Sequence, residues 1–318
     1  MNSRFSICIV HRNGLEKLNN VLTSLLSQIT ENDEIIVIDN HSNDKSIETI
    51  EGNKKFQKIV FIKNKCNAGY GFACNQGIYT SKGKYILLCN NDLEFSENAL
   101  NEFEELHKKN LSAGIIGPQL ISSNDLELNS YGTIKIDFLS QLDLIGRPKR
   151  SKRIKNFSSV ETLRGACLCA KREMINELGG FDKDFYFYHE DTEWCFRINK
   201  SKKWQVMFAP SIRMKHLEGS SSSKMFKESR IEFYRSRIIF WKKIFSPHEF
   251  LIIFCWNFIK LFLDLIFYQL MSILYFIRSK KYNQKVMDRY VVLGWIFMGM
   301  PEKWGLPDKC IYKNSKEN

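Results

Sequence analysis

The 318-residue chain lacks several patterns that define common classes of protein. Its nine cysteines include no CxxC pair, which argues against a zinc or disulfide framework and predicts buried free thiols in a reducing compartment. Residues 1–10 contain no long apolar segment, so we expect no signal peptide and a cytoplasmic location. The sequence has no internal repeat, and Ser220–Ser223 is its only low-complexity tract.

Negative charge is scarce in the last third of the chain. Residues 201–318 hold 21 Lys and Arg against 9 Asp and Glu, so this part accounts for the whole net charge of +12. It also contains the most apolar stretch, Phe250–Ile277. A basic and apolar segment favours an anionic surface, and its apolar content favours a membrane over nucleic acid. We therefore expect a globular domain in residues 1–225 and a helical extension in residues 226–318.

Short apolar runs alternate with helical patterns over the first 120 residues. This alternation predicts parallel βαβ units, in which ligands lie beyond the carboxyl ends of the strands. The expected strands are residues 5–10, 34–39, 58–63, 84–89 and 113–119, followed by 162–170 and 205–209 further along the chain.

Two of these strand ends carry polar sets. The strand Glu34–Asp39 closes on a carboxylate, and Asp39 either caps the next turn or accepts an imide N–H from a pyrimidine base. Asn90, Asn91 and Asp92 follow a fully apolar strand and form either a polar turn or part of a Mg²⁺ or Mn²⁺ site.

An acidic group follows an aromatic run in residues 179–197. Glu190, Asp191 and Glu193 crowd the start of a predicted helix, where carboxylates can simply cap the macrodipole. Three acids in four residues behind His189 and several Phe and Tyr exceed what capping needs, and low local polarity can raise a carboxylate pKa towards that of a general base. Further along, His216 is either structural or a metal ligand.

Six segments resemble, in order, the inverting family 2 glycosyltransferases of GT-A fold, and most closely the rhamnosyltransferase-like branch that builds bacterial surface polysaccharides. They are EIIVIDNHSND, NAGYGFACNQG, LLCNND, RGACLCAKREMINELGGFD, FYFYHEDTEWCFR and HLEGSSS, within residues 5–225. The resemblance implies a Rossmann-like, mostly parallel sheet flanked by helices. It also implies a nucleotide-diphosphate sugar donor, with dTDP-rhamnose as the first candidate, and a lipid-linked or polysaccharide acceptor.

The resemblance also implies roles by position. Asp39 reads the nucleotide base, Asn67 belongs to the donor-side nucleotide loop, and Asn91 and Asp92 contact the donor. Asp92 and His216 are expected to hold Mg²⁺ or Mn²⁺ on the diphosphate. Asp191 is implied as the general base, with Glu190 as its companion.

The sequence departs from the family pattern at two places. NND supplies one carboxylate where many relatives have two, and the first strand ends VHRNG where VxYNR or VNYNG is usual. The alternatives that stay open are a UDP-hexose or UDP-N-acetylhexosamine donor and a non-catalytic nucleotide-sugar-binding protein; a nucleic-acid binder is disfavoured because the aromatics are not interleaved with Arg.

The apolar stretch is long enough to span a bilayer, since about 20 apolar residues suffice. Lys260 and Asp264 divide it, and with Asn257 they fall on one helical face opposite a broad apolar surface. This pattern predicts a helix that lies on the inner face of the cell membrane without crossing it. A packed helical subdomain or a homodimer through the C-terminal helices is the alternative. The cations expected to attract anionic headgroups are Arg235, Arg237, Lys242, Lys243, Arg278, Lys280 and Lys281.

Overall fold

A mixed β-sheet organises the first of two compact units. The computed structural model describes residues 3–134, 138–142, 153–217, 226–274 and 279–310. The sheet unit comprises Met1–Ile134, Lys152–Tyr186 and Glu190–Glu218. The helical unit comprises Lys135–Ser151, Phe187–His189 and Gly219–Asn318.

Within the described residues, nine strands form the main sheet in the order β3-β2-β1-β4-β10-β6-β11-β5, with β8 paired to β11. Strands β1 to β4 are mutually parallel, whereas β10 runs antiparallel to β4 and β6. The strands are β1 Phe5–His11, β2 Asp33–Asp39, β3 Val60–Lys63, β4 Tyr85–Asn90, β5 Leu93–Phe95, β6 Ala113–Ile121, β7 Tyr131–Gly132, β8 Ser158–Ser159, β9 Thr162–Leu163, β10 Cys167–Lys171 and β11 Gln205–His216.

The helices flank this sheet or build the helical unit. In the sheet unit they are α1 Leu15–Leu26, α2 Ser46–Glu51, α3 Tyr70–Thr80, α4 Ala99–Lys109, α6 Arg172–Leu178 and α7 Glu190–Lys200, with a 3₁₀ turn at Lys54–Phe56. In the helical unit they are α5 Phe138–Gln141, α8 Phe226–Ile244, α9 Pro247–Leu274 and α10 Ser279–Phe297.

Apolar periodicity explains how the sheet unit folds. The central strands β1, β2 and β4 are buried along almost their whole length, as expected for parallel strands covered on both faces. Helix α1 turns Leu18, Val21, Leu22 and Leu25 inward at helical spacing. Burying one such side chain contributes roughly 1.5–3 kcal/mol, so this stripe fixes the helix against the sheet.

The strand expected over residues 162–170 is two strands. Strand β9 pairs with β7 in a separate two-stranded sheet, while β10 pairs with β4 and β6 in the main sheet. The chain therefore has to break between Leu163 and Cys167 in order to change sheets.

Cysteine usage matches the sequence prediction at most positions. Cys8, Cys74, Cys89, Cys167, Cys169 and Cys195 are buried free thiols, and Cys255 is an exposed one.

Three long helices form the helical unit. Leu261 of α9 packs with Val292 and Leu293 of α10, and Arg289 of α10 reaches Asp264 of α9 at 3.1 Å. In the described part of the chain, α9 is the one helix long and apolar enough to cross a membrane.

The cations expected to face lipid divide into groups. Arg235 binds Glu232 and the carbonyls of Pro301 and Trp304, and Arg237 contacts Asn257. Both side chains therefore make contacts within the helical unit. Lys242 and Lys243 are exposed. Arg278 and the side chains of Lys280 and Lys281 lie outside the described residues.

Candidate active site

The carboxyl ends of neighbouring strands bring the predicted polar residues to one edge of the sheet. His11 at the end of β1 is in register with Asp39 at the end of β2, and Val10 is in register with Asn90 of β4. Strand β10 is antiparallel to β4, so its beginning lies at the same edge. The Asn90 N–H accordingly donates to the Ala166 carbonyl at 3.0 Å.

Asp92 and His216 face each other at this edge. Asp92 Oδ1 lies 3.2 Å from His216 Nε2, and Lys17 Nζ lies 3.9 Å from the other carboxylate oxygen. Both side chains of the Asp92–His216 pair are largely buried, and among the residues described no hydrogen bond reaches Asp92 Oδ1. His216 belongs to strand β11 itself, whereas the sequence pattern placed it after a shorter strand.

This pair fits two ligands of a divalent cation. One carboxylate oxygen and one imidazole nitrogen converge, as a bound metal ion requires. No group of three or more His, Cys, Asp or Glu side chains that could hold a metal occurs in the described ranges. A metal at this place would therefore take its remaining ligands from a diphosphate and water, the usual arrangement for Mg²⁺.

Asp39 and its neighbour Asn40 form hydrogen bonds to two different loops. Asp39 is 7% exposed, and its Oδ1 accepts the Ser42 N–H at 3.0 Å. Asn40 Nδ2 donates to Asn67 Oδ1 at 2.9 Å, and Asn40 Oδ1 accepts the Ala68 N–H at 2.8 Å. Asn67 is thus a buried support of the predicted nucleotide loop.

The same loop needs a glycine at position 69. Gly69 has φ +86°, and a Cβ there would lie 2.2 Å from the Tyr186 carbonyl oxygen. The next residue, Tyr70, donates its N–H to that carbonyl at 3.1 Å and its hydroxyl to the Gly165 carbonyl at 2.6 Å. The loop is thereby tied to the segment that carries the acidic residues.

Asp191 is fixed by backbone donors. Its Oδ2 accepts the Gly165 N–H at 2.9 Å, and its Oδ1 accepts the N–H and hydroxyl of Thr192 at 2.6 and 3.2 Å. A Cβ on Gly165 would approach the Asp191 carboxylate to 3.2 Å, so a glycine permits the close contact. Burial raises the pKa of Asp191 above its ordinary value, although these hydrogen bonds oppose the shift.

Glu190 lies beside Asp191 and carries the largest carboxyl shift. Burial, followed by the charge of Asp191, raises the pKa of Glu190 to about 8. The side chain is 6% exposed, and Oε2 has no hydrogen-bond partner within the described residues. The chain enters α7 through Tyr188 and His189, both with positive φ (68° and 63°), which is the sharp turn that places the two acids at the first helical residues.

Glu193, the third member of the acidic group, has a structural role. Its Oε1 accepts the Arg197 guanidinium at 2.6 Å, and Arg197 also donates to the carbonyls of Leu178 and Gly180. The ion pair therefore anchors the Gly179–Gly180 turn against α7.

The family model of glycosyl transferase family 2 matches residues 6–179, which is more than half of the chain. The chain belongs to this family. Every predicted site residue before the acidic block falls inside the matched range.

Curated relatives of this glycosyltransferase act in glycan synthesis. It is 24% identical over 248 residues to a low-salt glycan biosynthesis hexosyltransferase of Haloferax volcanii, covering 75% of this chain and 77% of the relative. It is 27% identical over 187 residues to the poly-beta-1,6-N-acetyl-D-glucosamine synthase of Staphylococcus epidermidis, covering 58% of this chain. The match spans 44% of that synthase.

Solved structures share the fold. GalNAc-T7 with UDP, GalNAc and Mn²⁺ matches with a TM-score of 0.55 at 18% identity, over 68% of this chain and 44% of that one. Residues 1–349 of S. aureus TarS match with a TM-score of 0.54 at 13% identity, over 93% of this chain and 92% of that one. Together with the mixed sheet, these likenesses confirm the expected GT-A fold class.

Sequence patterns found the strand-end residues of this glycosyltransferase but missed their supports. Asn40 was recognised only as a polar residue at a strand end, and its contacts, those of Gly165 and those of His11 were not predicted, because their partners lie 26 to 80 residues away along the chain. The polar residue at the end of β1 was the one available signal for His11. Residues 218–223, the small-residue segment after His216, lie outside the described part of the chain.

Proposed function

We propose that this glycosyltransferase transfers a hexose-type sugar, with inversion, from a nucleotide-diphosphate donor to a hydroxyl of a lipid-linked or polysaccharide acceptor. The observation that carries the proposal is the Glu190–Asp191 pair, in which Glu190 is buried and the half-buried Asp191 accepts the Gly165 N–H beside the strand edge where Asp92 and His216 meet. A carboxylate base and a site for a diphosphate are the two elements that single-displacement glycosyl transfer needs.

Asp191 is proposed to act as the general base. Its carboxylate takes the proton from the acceptor hydroxyl while that oxygen forms a bond to the anomeric carbon. The bond from this carbon to the diphosphate oxygen breaks on the opposite face, and the electron pair leaves with the nucleotide diphosphate. The backbone donors on Asp191 fix the direction of its oxygens, and Glu190 carries a proton at neutral pH because its pKa is about 8.

The donor end of the site is assigned to Asp39, Asn67, Asn91 and Asp92. Asp39 is proposed to read the base, Asn67 to shape the nucleotide loop, and Asn91 to position Asp92. Asp92 and His216 would hold Mg²⁺ or Mn²⁺, which when bound neutralises charge developing on the leaving diphosphate. Lys17, 3.9 Å from Asp92, adds positive charge at the same place.

Two classes of nucleotide-sugar donor are candidates. dTDP-rhamnose is supported by the resemblance of the motifs to rhamnosyltransferases in O-antigen, capsule or cell-wall glycan synthesis. A UDP-hexose or UDP-N-acetylhexosamine is supported by the hexosyltransferase and N-acetylglucosamine polymer synthase among the relatives. A non-catalytic nucleotide-sugar-binding protein is disfavoured, because it would not need two adjacent carboxyls with raised pKa values.

An anionic membrane surface on the cytoplasmic side is the proposed location. The polar face of α9 is turned to protein, since Asn257 contacts Arg237 and Asp264 contacts Arg289. The opposite face is exposed and apolar, and α10 extends the exposed apolar surface. Its members are Leu251, Ile252, Trp256, Ile259, Phe262, Leu263, Ile266, Phe267, Leu270, Ile273 and Leu274 of α9, Met287, Tyr290 and Phe297 of α10, and Met298 directly after α10.

A bilayer is the occupant that fits this surface. By its 28 residues α9 is about 42 Å long, and soluble monomers rarely expose one apolar face on this scale. The exposed Lys242 and Lys243 precede α9, where they can meet anionic headgroups. A lipid-linked acceptor would then share one surface with the enzyme, while a homodimer through the C-terminal helices is the competing occupant.

The experiment that tests the proposed function is turnover of a donor panel. Purified protein with Mn²⁺ is given dTDP-rhamnose, UDP-glucose, UDP-N-acetylglucosamine or GDP-mannose together with a membrane lipid extract, and released nucleotide diphosphate is measured. Acceptor-dependent release from one donor supports the proposal and identifies the sugar. No release from any of the donors above the protein-free control would contradict it.

A further inference from the structure

The end of β1 carries a buried histidine that the proposed chemistry does not use. His11 is fully buried, and both of its ring nitrogens have partners: Nδ1 lies 2.8 Å from Asn91 Nδ2, and Nε2 lies 2.7 Å from Ser46 Oγ. It stands in VHRNG, one of the two places where the sequence departs from its family pattern. Its two partners are 80 and 35 residues away along the chain.

The direction of each hydrogen bond follows from the groups present. The Asn91 amide group also donates to the Asn13 carbonyl at 3.1 Å, which identifies the atom facing His11 as the NH₂ nitrogen. His11 Nδ1 must then accept, so the proton of the neutral ring is on Nε2 and is donated to Ser46 Oγ. Burial lowers the pKa of His11, in agreement with a neutral ring, and the charges of Asp39 and Asp44 oppose this shift.

The chain of hydrogen bonds that starts at His11 continues from Ser46 into the turn after β2. The Ser46 hydroxyl donates to Asp44 Oδ1 at 2.5 Å, and Asp44 Oδ2 accepts the Gly14 N–H at 2.5 Å. Residues 40–46 are therefore attached to the loop after β1. The same turn includes Ser42, whose N–H binds Asp39 Oδ1.

We propose that His11 is a positioning residue that couples the two halves of the donor site. Its Nδ1 holds Asn91, and with it Asp92, on the diphosphate side. Its Nε2 holds Ser46, and with it the turn beside Asp39, on the nucleoside side. The inference rests on the proposed donor site and adds a residue that contacts neither metal nor substrate.

Two isosteric substitutions separate the two sides. In His11→Asn the side-chain oxygen replaces Nδ1 and keeps an acceptor for Asn91, but the contact with Ser46 is lost. In His11→Gln the terminal amide replaces Nε2 and keeps the contact with Ser46, but the acceptor for Asn91 is lost. Ser46→Ala removes one hydroxyl and serves as a second variant that breaks the nucleoside side.

The measurement is calorimetric binding of UMP, UDP, dTMP and dTDP in the presence of Mn²⁺, with thermal melting as the check on folding. We expect His11→Gln to lose about tenfold in diphosphate affinity with the monophosphate affinity retained, because a broken buried hydrogen bond has an effect of this order. In His11→Asn and in Ser46→Ala, we expect the affinity for monophosphates to fall by the same factor as the affinity for diphosphates.

The outcomes distinguish the inference from the function on which it rests. If wild-type protein binds none of the four nucleotides, the proposed function fails for uridine and thymidine donors, and the inference, which rests on that donor site, fails with it. If wild type binds and the variants bind equally well, or if His11→Asn and His11→Gln change affinity in the same pattern, the inference alone is overturned. If the His11 variants do not fold, unchanged binding by Ser46→Ala overturns it and a uniform loss supports it.

Discussion

At the scale of single residues, burial and hydrogen bonding divide the acidic side chains by role. Glu193 is paired with Arg197, whereas burial raises the pKa of Glu190, and the N–H groups of Gly165 and Thr192 orient the Asp191 carboxylate. Neighbouring carboxyls in a low-polarity site share protons, so one stays neutral while the other is available as a base. The sequence shows three acids, of which the family resemblance implies Glu190 and Asp191 as the pair, and the contacts give Glu193 a structural partner in Arg197.

The pH dependence of the melting temperature should show whether Glu190 carries a proton in the folded protein. The pKa of Glu190 is about 8 in the folded protein and near 4.5 when unfolded, so the folded state binds more protons between these values. Stability from this group is present below the unfolded pKa and is lost as pH rises through the folded pKa. We expect the melting temperature of wild type to fall more between pH 5 and pH 8 than that of Glu190→Gln, with Glu97→Gln, which alters an exposed carboxylate, as control. Parallel pH curves for wild type and Glu190→Gln would contradict the assignment.

Metal binding should depend on both members of the facing pair. We expect Asp92→Ala and His216→Ala each to weaken Mn²⁺ binding in the presence of UDP about tenfold or more, because each removes one of the two proposed protein ligands. The free Mn²⁺ signal in electron paramagnetic resonance measures this without turnover. A loss in Asp92→Ala alone would assign His216 to a structural role, and unchanged binding in both would remove the metal site from this edge.

At the scale of elements, apolar runs predicted the central strands and the residues at their ends. The runs before Asp39 and Asn90 are long, buried and bounded by turn formers, so their ends could be located from the sequence. The direction of β10 could not be predicted from the sequence, because the alternation of side chains does not show which neighbouring strand a strand pairs with. The partners of His11 and Asp191 were also beyond reach, since each comes from a different loop.

The nucleotide loop provides a prediction at this scale. Gly69→Ala should reduce nucleotide affinity and lower stability by about 1–3 kcal/mol, because the new methyl group meets the Tyr186 carbonyl and the φ of +86° disfavours alanine. Gly294→Ala is the matched control: it lies in α10 with no atom within 4 Å of the added Cβ, and alanine is the better helix former. Chemical denaturation and UDP titration measure both effects. A Gly69→Ala protein as stable and as tight-binding as wild type would show that the loop adapts.

At the scale of the whole molecule, charge and apolar surface are concentrated in the C-terminal third. The sequence predicted the apolar face of α9, but it placed Arg235 and Arg237 at a lipid surface, whereas the structure engages them with Glu232 and Asn257. Long cationic side chains reach buried acceptors as readily as headgroups, and sequence spacing does not distinguish these uses.

Liposome flotation tests the proposed surface. We expect the wild-type chain to float with anionic vesicles at low salt and less so at high salt, and Phe262→Glu/Leu270→Glu to remain in the soluble fraction while still folded. Leu111→Glu/Leu126→Glu alters two exposed leucines of the sheet unit and should float like wild type. Wild-type protein that stays soluble at low salt and sediments as a dimer would assign the apolar face to a second copy of the chain.

The most direct test of the central claim compares turnover and donor affinity in Asp191→Asn. Amidation removes the base but keeps the size of the side chain, so we expect acceptor-dependent transfer at saturating donor to fall about 10²- to 10⁴-fold while the Kd for the donor stays within threefold. Asp184→Asn, an exposed carboxylate in the same segment, should transfer like wild type. Transfer by Asp191→Asn within threefold of wild type would contradict the assignment of Asp191 as the base.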